Sequence, residues 1–176
     1  YDEKTFIAES STFIEWFFPY ASKTELDQRQ LNIFTDLLKS LISKQNNIKK
    51  TNVLRDFMVD NLIWLDKRDN IKKIGLLDFQ DAVQGPLSYD LVSLLEDARR
   101  DVSPNVVRKS LNYYLVNSNL NKNEFMESYY ILGLQRNLKI IGYFSRKLLR
   151  DRNNNYMKFI PRVWGYLLKD IEHEAI

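Results

Sequence analysis

Apolar and polar positions recur along this chain with two different periods. Over residues 4–18, Phe6, Phe13 and Phe17 share one helical face, and Pro19 is expected to end that helix. A second helix is expected near Thr24, read as an N-cap with Asp27 at the capping-box position. Its stripe is Leu31, Phe34, Leu37, Leu38, Leu41 and Ile42. Residues 44–50 are polar and read as a loop. The period then shortens. Residues 52–54, 62–65 and 73–77 read as short strands, and the polar turn 66–70 joins the last two into a hairpin. Gly85 and Pro86 read as a break. Helical spacing returns over 88–99, with Leu91, Leu94 and Leu95. Pro104 opens the next helix behind the N-cap Ser103, and that helix runs to about Val116. Asn121 or Asn123 caps a long helix to about Arg150. After a loop at 153–155, a final helix carries Pro161 in its first turn and Val163, Trp164, Leu167, Leu168 and Ile171 as its stripe. The expected fold is mainly α with a small β-hairpin, in a single domain over 1–176.

Composition removes several kinds of chemistry. The chain of 176 residues has no cysteine, which excludes disulfides, cysteine-held zinc and a thiol nucleophile within it, and fits a reducing, cytoplasmic setting. Its one histidine is His173, read as a surface residue, so a Ser-His-Asp triad or a histidine metal site is excluded within the chain. The net charge of +3 comes from scattered lysines, and no nucleic-acid partner is expected. No apolar run has the length of a membrane helix, roughly 20 residues, and no membrane partner is expected.

The stretch "VLRDFMVDNLIWL" sets Arg55, Asp56, Asp60 and Asn61 between apolar runs that both look inward-facing. Asp56 and Asn61 bracket the loop between the first two strands, and Asp78 ends the third, in "LLDFQDA". A hairpin brings such loop ends together. Two carboxylates and an amide suit a hard cation such as Mg2+, which takes its other ligands from water and phosphates. A carboxylate left off the metal can accept a proton from an attacking hydroxyl. These are the parts of a phosphoryl-transfer site. The bland alternative is a set of turn-forming Asp and Asn residues.

"VLRDFMVDNL" and "GLLDFQDAVQGPLSYDLVSLLEDAR" together resemble the C-terminal lobe of the aminoglycoside phosphotransferase and choline kinase superfamily, which has a protein-kinase-like fold. The wording is most similar to bacterial kinases of the cell-wall amino sugars N-acetylmuramate and N-acetylglucosamine. "LGLQRNLKIIGYFSR" and "IPRVWGYL" look like later segments of that group. The resemblance implies an ATP-dependent phosphotransferase with Mg2+ as cofactor and a small sugar as substrate. It implies Asp56 as catalytic base and Asn61 and Asp78 as metal ligands. Asp90 would brace the catalytic loop and Arg55 would support it; Arg136 and Lys139 are candidate sugar contacts, with surface charge as their default. Gln80 and Asp81 match the wording but receive no role.

Three departures qualify this. Leu54 stands where the superfamily loop carries histidine. Asp60 precedes Asn61 where some relatives are basic, and is expected either to raise neighbouring carboxylate pKa values or to add a ligand. The five glycines at 75, 85, 133, 142 and 165 form no Gly-rich loop, so the nucleotide-gripping N-terminal lobe is expected to lie before Tyr1. The alternatives are a degenerate binding or regulatory module, which Leu54 favours, and a plain helical interaction domain. Trp16, Phe17 and Phe18 read as core rather than as a ligand platform. The basic run 145–152 reads as a solvated helix end.

Overall fold

The computed structural model describes residues 1–174 and residue 176. Helix α1 (Glu3–Thr12) is capped by Asp2, whose carboxylate accepts from Thr5 N. The helical path does not end at Pro19, as the sequence suggests. It widens into a π-helical turn (Phe13–Phe17) and tightens into α2 (Phe18–Ser22), where Pro19 lies in the first turn. A proline there removes an N–H that has little to lose. The path stops at Lys23, left-handed with φ 60°. Asp27 is itself the cap of α3 (Gln28–Ser43), in a reciprocal capping box with Gln30, so Thr24 lies outside the helix. Leu38 and Ile42 of α3 are buried, but Leu37 is 63% exposed, so the inner stripe is narrower than the spacing suggests.

The strands form two separate antiparallel pairs. β1 (Lys50–Val53) pairs with β4 (Val83–Pro86), Val53 lying opposite Val83. Gly85 and Pro86 are thus strand residues rather than a break; Pro86 sits at the strand end, where the missing donor matters least. β2 (Leu62–Trp64) and β3 (Ile74–Leu76) form the expected hairpin, with Leu62 opposite Leu76. Only one apolar flank of the polar stretch packs inward. Val53 is buried, whereas Trp64 is 61% and Phe79 59% exposed.

Helices α4 (Tyr89–Leu95), α5 (Pro104–Ser118), α6 (Lys122–Leu149) and α7 (Ile160–Ile171) follow, with Ser103 capping α5 and Asn121 capping α6. The axis of the molecule is α6. One end buries Phe125, Tyr129 and Leu132 among residues of α1, α3 and α4. The other buries Ile141 and Phe144 with Val163 and Leu167 of α7. Trp164, Leu168 and Ile171 of the expected α7 stripe stay partly exposed, at 36–48%. Two glycines let α6 approach its neighbours. A Cβ at Gly142 would lie 2.5 Å from Phe13 N, and one at Gly133 would lie 2.7 Å from Asp170 Oδ2. Phe13 and Phe17 pack against Trp164, with centroids 6.3 and 5.5 Å away. His173 is half-buried, stacked on Tyr130 at 3.9 Å, rather than a free surface residue. No described helix is long and apolar enough to cross a membrane.

Candidate active site

Between β1 and β2 the chain makes a tight loop held from below by α4. Asp90 Oδ2 accepts from Leu54 N at 2.7 Å, and Oδ1 accepts from Arg55 N at 3.1 Å. Burial raises the pKa of the Asp90 carboxyl, against the pull of these two N–H groups and of Arg136. Arg55 is left-handed, φ 69°, a conformation that costs a non-glycine residue about 1 kcal/mol. The two bonds from Asp90 and the contact of Ser93 Oγ with Arg55 O at 3.4 Å stabilise it there. The turn leaves the next side chain, that of Asp56, exposed, and the described side-chain bond at this residue goes to its backbone O.

Asn61 ties the three polar positions together. It closes the short 3-10 turn Val59–Asn61, directly before β2. Its Nδ2 donates to Asp56 O at 2.8 Å, and its backbone O accepts from Leu77 N at 2.9 Å. Asp78 follows Leu77, also left-handed at φ 55°, with Oδ1 accepting from Gln80 Nε2 at 2.7 Å. Asn61 Oδ1 and Asp78 Oδ2 accept no hydrogen bond from any described residue. Two uncommitted oxygens of this kind fit a hard cation that keeps waters and phosphate oxygens as its remaining ligands. Among the described residues no group of three His, Cys, Asp or Glu forms a metal cage. Gln80, given no role from sequence, orients Asp78. Asp60 does not stand as a loose negative charge: Arg100 pairs with it at 2.5 Å and lowers its pKa.

Asp56 borders a cavity of about 380 Å3, whose lining includes Met58, Arg99, Arg136, Lys139 and Tyr143. A larger hollow of about 490 Å3 beside α5 and α6 has no carboxylate in its lining and no link to this loop. Arg136 is buried rather than on the surface, with Nη2 donating to Ser93 Oγ at 2.9 Å. Leu134, Leu138 and Ile141 face inward as expected. Lys139 Nζ donates to Glu9 Oε1 at 2.9 Å, and Arg55 Nη2 donates to the same oxygen at 3.3 Å. Glu9 also accepts from the Tyr1 hydroxyl. Burial opposes the Arg55 charge, but Tyr1 and Glu9 outweigh it and its pKa rises. Glu9 and Arg99 escape a reading from sequence. The available signal for Glu9 is a carboxylate one residue before buried Ser10 on α1; for Arg99 there is none beyond its place after "LLEDA".

Asn137 of α6 joins a pair of buried acids, Glu96 just after α4 and Asp170 of α7. Asn137 Nδ2 donates to Glu96 Oε2 and to Asp170 Oδ2, both at 2.9 Å. Burial and the nearby Glu96 push the Asp170 pKa up to about 9, and burial raises Glu96 as well.

Residues 3–125 match the phosphotransferase enzyme family. The chain is similar to the N-acetylmuramate/N-acetylglucosamine kinase of Caulobacter vibrioides, 44% identical over 114 residues, which cover 64% of this chain and 31% of the relative. The protein of the same name from Neisseria meningitidis is 34% identical over 174 residues, covering 95% of this chain and 51% of the relative. That from Pseudomonas aeruginosa is 29% identical over 174 residues, covering 95% and 50%. The chain spans about half or less of the length of these curated relatives.

Proposed function

The chain belongs to the phosphotransferase enzyme family, and we propose that it forms the catalytic and substrate-binding lobe of a kinase that moves the γ-phosphate of ATP to a hydroxyl of an amino sugar. The observation that carries this reading is the junction at Asn61. One side chain and one carbonyl link the loop of Asp56 to the strand end of Asp78, while a free oxygen remains on each of Asn61 and Asp78. Asp56 takes the proton of the acceptor hydroxyl as that oxygen bonds to the γ-phosphorus and the bond to ADP breaks. Asn61 and Asp78 hold Mg2+, which when bound neutralises charge on the phosphates. Asp90 holds the loop, and the cavity beside Asp56 receives the sugar. The amino-sugar substrate is taken from the relatives' names.

The nucleotide-gripping lobe is proposed to lie elsewhere in the same polypeptide. The exposed apolar residues of the hairpin and of the segment just after it, Trp64 and Phe79 among them, give it a surface to pack on. The chain is placed in the cytoplasm, with ATP. The degenerate-module reading rests on Leu54, and the Asp90 bonds weaken it, because they hold the loop backbone without a histidine. The test is metal dependence in the complete gene product. Asp78→Ala is expected to abolish phosphorylation, while Asn61→Ala is milder and is partly rescued by excess Mg2+. Wild-type turnover in Asp78→Ala would overturn the assignment.

A further inference from the structure

We propose that Arg99 selects for a carboxylate on the acceptor, so that an acidic amino sugar is used in preference to its neutral counterpart; this rests on the phosphotransfer reading above. Four cationic side chains and one carboxylate line the Asp56 cavity: Arg55, Arg99, Arg136 and Lys139 against Asp56. Three of the four cations are already engaged. Glu9 pairs with Arg55 at 3.3 Å and with Lys139 at 2.9 Å. Arg136 is buried, and its guanidinium donates to Ser93 Oγ at 2.9 Å and to Glu96 O at 3.5 Å.

Arg99 differs from these. Its backbone N–H meets Asp97 Oδ1 at 2.8 Å, but the hydrogen-bond partner of its guanidinium among the described residues is the sulfur of Met58, at 3.2 Å. A thioether is a weak acceptor and carries no charge. Asp60, whose carboxylate feels the charge of Arg99, is hydrogen-bonded to Arg100 at 2.5 Å instead. The side chain is half-buried and lines the cavity. A guanidinium offers a planar fork of donors that matches both oxygens of a carboxylate. The contact to Met58 places that fork two residues from Asp56, on the loop that presents the base.

The two sugars in the relatives' names differ in this respect: N-acetylmuramate carries a lactyl carboxylate that N-acetylglucosamine lacks. An acid held by Arg99 gains a bidentate ion pair, which the neutral sugar cannot form.

The experiment measures kcat/KM for both sugars with Mg-ATP, using the complete gene product as wild type, Arg99→Gln and Arg99→Lys. The quantity read is the ratio of the two values within each protein, which does not depend on the fraction of active enzyme. In Arg99→Gln the preference for the acid is expected to fall by about tenfold to a hundredfold. Arg99→Lys keeps the charge without the fork and retains part of the preference. In the wild type, added salt is expected to lower kcat/KM for the acid and to spare the neutral sugar. An unchanged ratio in Arg99→Gln, with both sugars still phosphorylated, overturns the role of Arg99 and leaves the kinase reading standing. An equal response of both sugars to salt in the wild type also counts against that role. Failure of the wild type to phosphorylate either sugar overturns the kinase reading itself and this inference with it.

Discussion

Asp90 holds Arg55 by the backbone rather than by charge: its carboxylate accepts from Arg55 N at 3.1 Å and from the preceding Leu54 N at 2.7 Å. One side chain on α4 therefore fixes two consecutive peptide groups, and with them the left-handed turn that presents Asp56.

Removing that carboxylate should be costly twice over. Asp90→Ala leaves two N–H groups without a partner, at about 1–3 kcal/mol each, and frees a strained turn. Thermal unfolding should show a clear fall in Tm, and kcat should fall with it. Asp90→Asn keeps one acceptor oxygen and should lie between. A variant Asp90→Ala with the stability and turnover of the wild type would mean the loop is held by something else.

Leu54→His separates scaffold from chemistry. Asp90 already carries the backbone at 54 and 55, so turnover should stay the same or rise modestly. If the ring nitrogens find no partner, stability falls by about 1–3 kcal/mol. A large loss of kcat at unchanged Tm would show that Leu54 packing, rather than Asp90, sets the loop.

Gly142→Ala sets two effects against each other. Alanine favours a helix interior by about 1 kcal/mol over glycine. The new Cβ would lie 2.5 Å from Phe13 N, and backbone cannot rotate away as a side chain can. Overpacking of this kind costs about 1–3 kcal/mol, so the variant should be net destabilised, with Tm lowered by a few degrees. A raised Tm would show that α6 and the π-helical turn have slack between them.

The buried acids give stability a pH dependence of a definite sign. Asp170 keeps its proton in the folded protein up to about pH 9, whereas its unfolded value is near 3.8. Folding therefore favours the protonated form. The stabilisation is complete below the unfolded value and is lost as pH rises through the window toward 9. Lys169 beside both acids and Arg136 beside Glu96 temper the loss, and the neutral Tyr129 hydroxyl lies near the pair. Tm of the wild type should fall across that window. Asp170→Asn, which cannot ionise, should flatten the curve and gain on the wild type as pH rises. Parallel curves would place the proton elsewhere.

Much of this fold is legible in the order of residues because its signals are local. Ser103 with Pro104, Asn121, and the polar turn 66–70 each specify a boundary through chemistry within a few positions. The misreadings are tertiary. Pro19 does not stop its helix, because the π-helical turn against Gly142 resets the hydrogen-bond ladder before it. Gly85 and Pro86 become strand because β1, more than thirty positions earlier, pairs with them. At the site, Asp56, Asn61 and Asp78 stand out by spacing and by family resemblance. Glu9 and the fates of Arg136 and Asp60 do not, since each depends on a partner distant in sequence: Arg55 and Lys139 for Glu9, Ser93 for Arg136 and Arg100 for Asp60.

The most direct test of the account is the turnover of Asp56→Asn in the complete gene product, assayed with Mg-ATP and amino sugars beside a measurement of sugar binding. The substitution keeps the shape of the side chain and removes its basicity. General-base loss is expected to lower kcat by at least about a hundredfold while sugar affinity stays near that of the wild type. Full turnover in Asp56→Asn would contradict the assignment of Asp56 as the base, and with it the central claim.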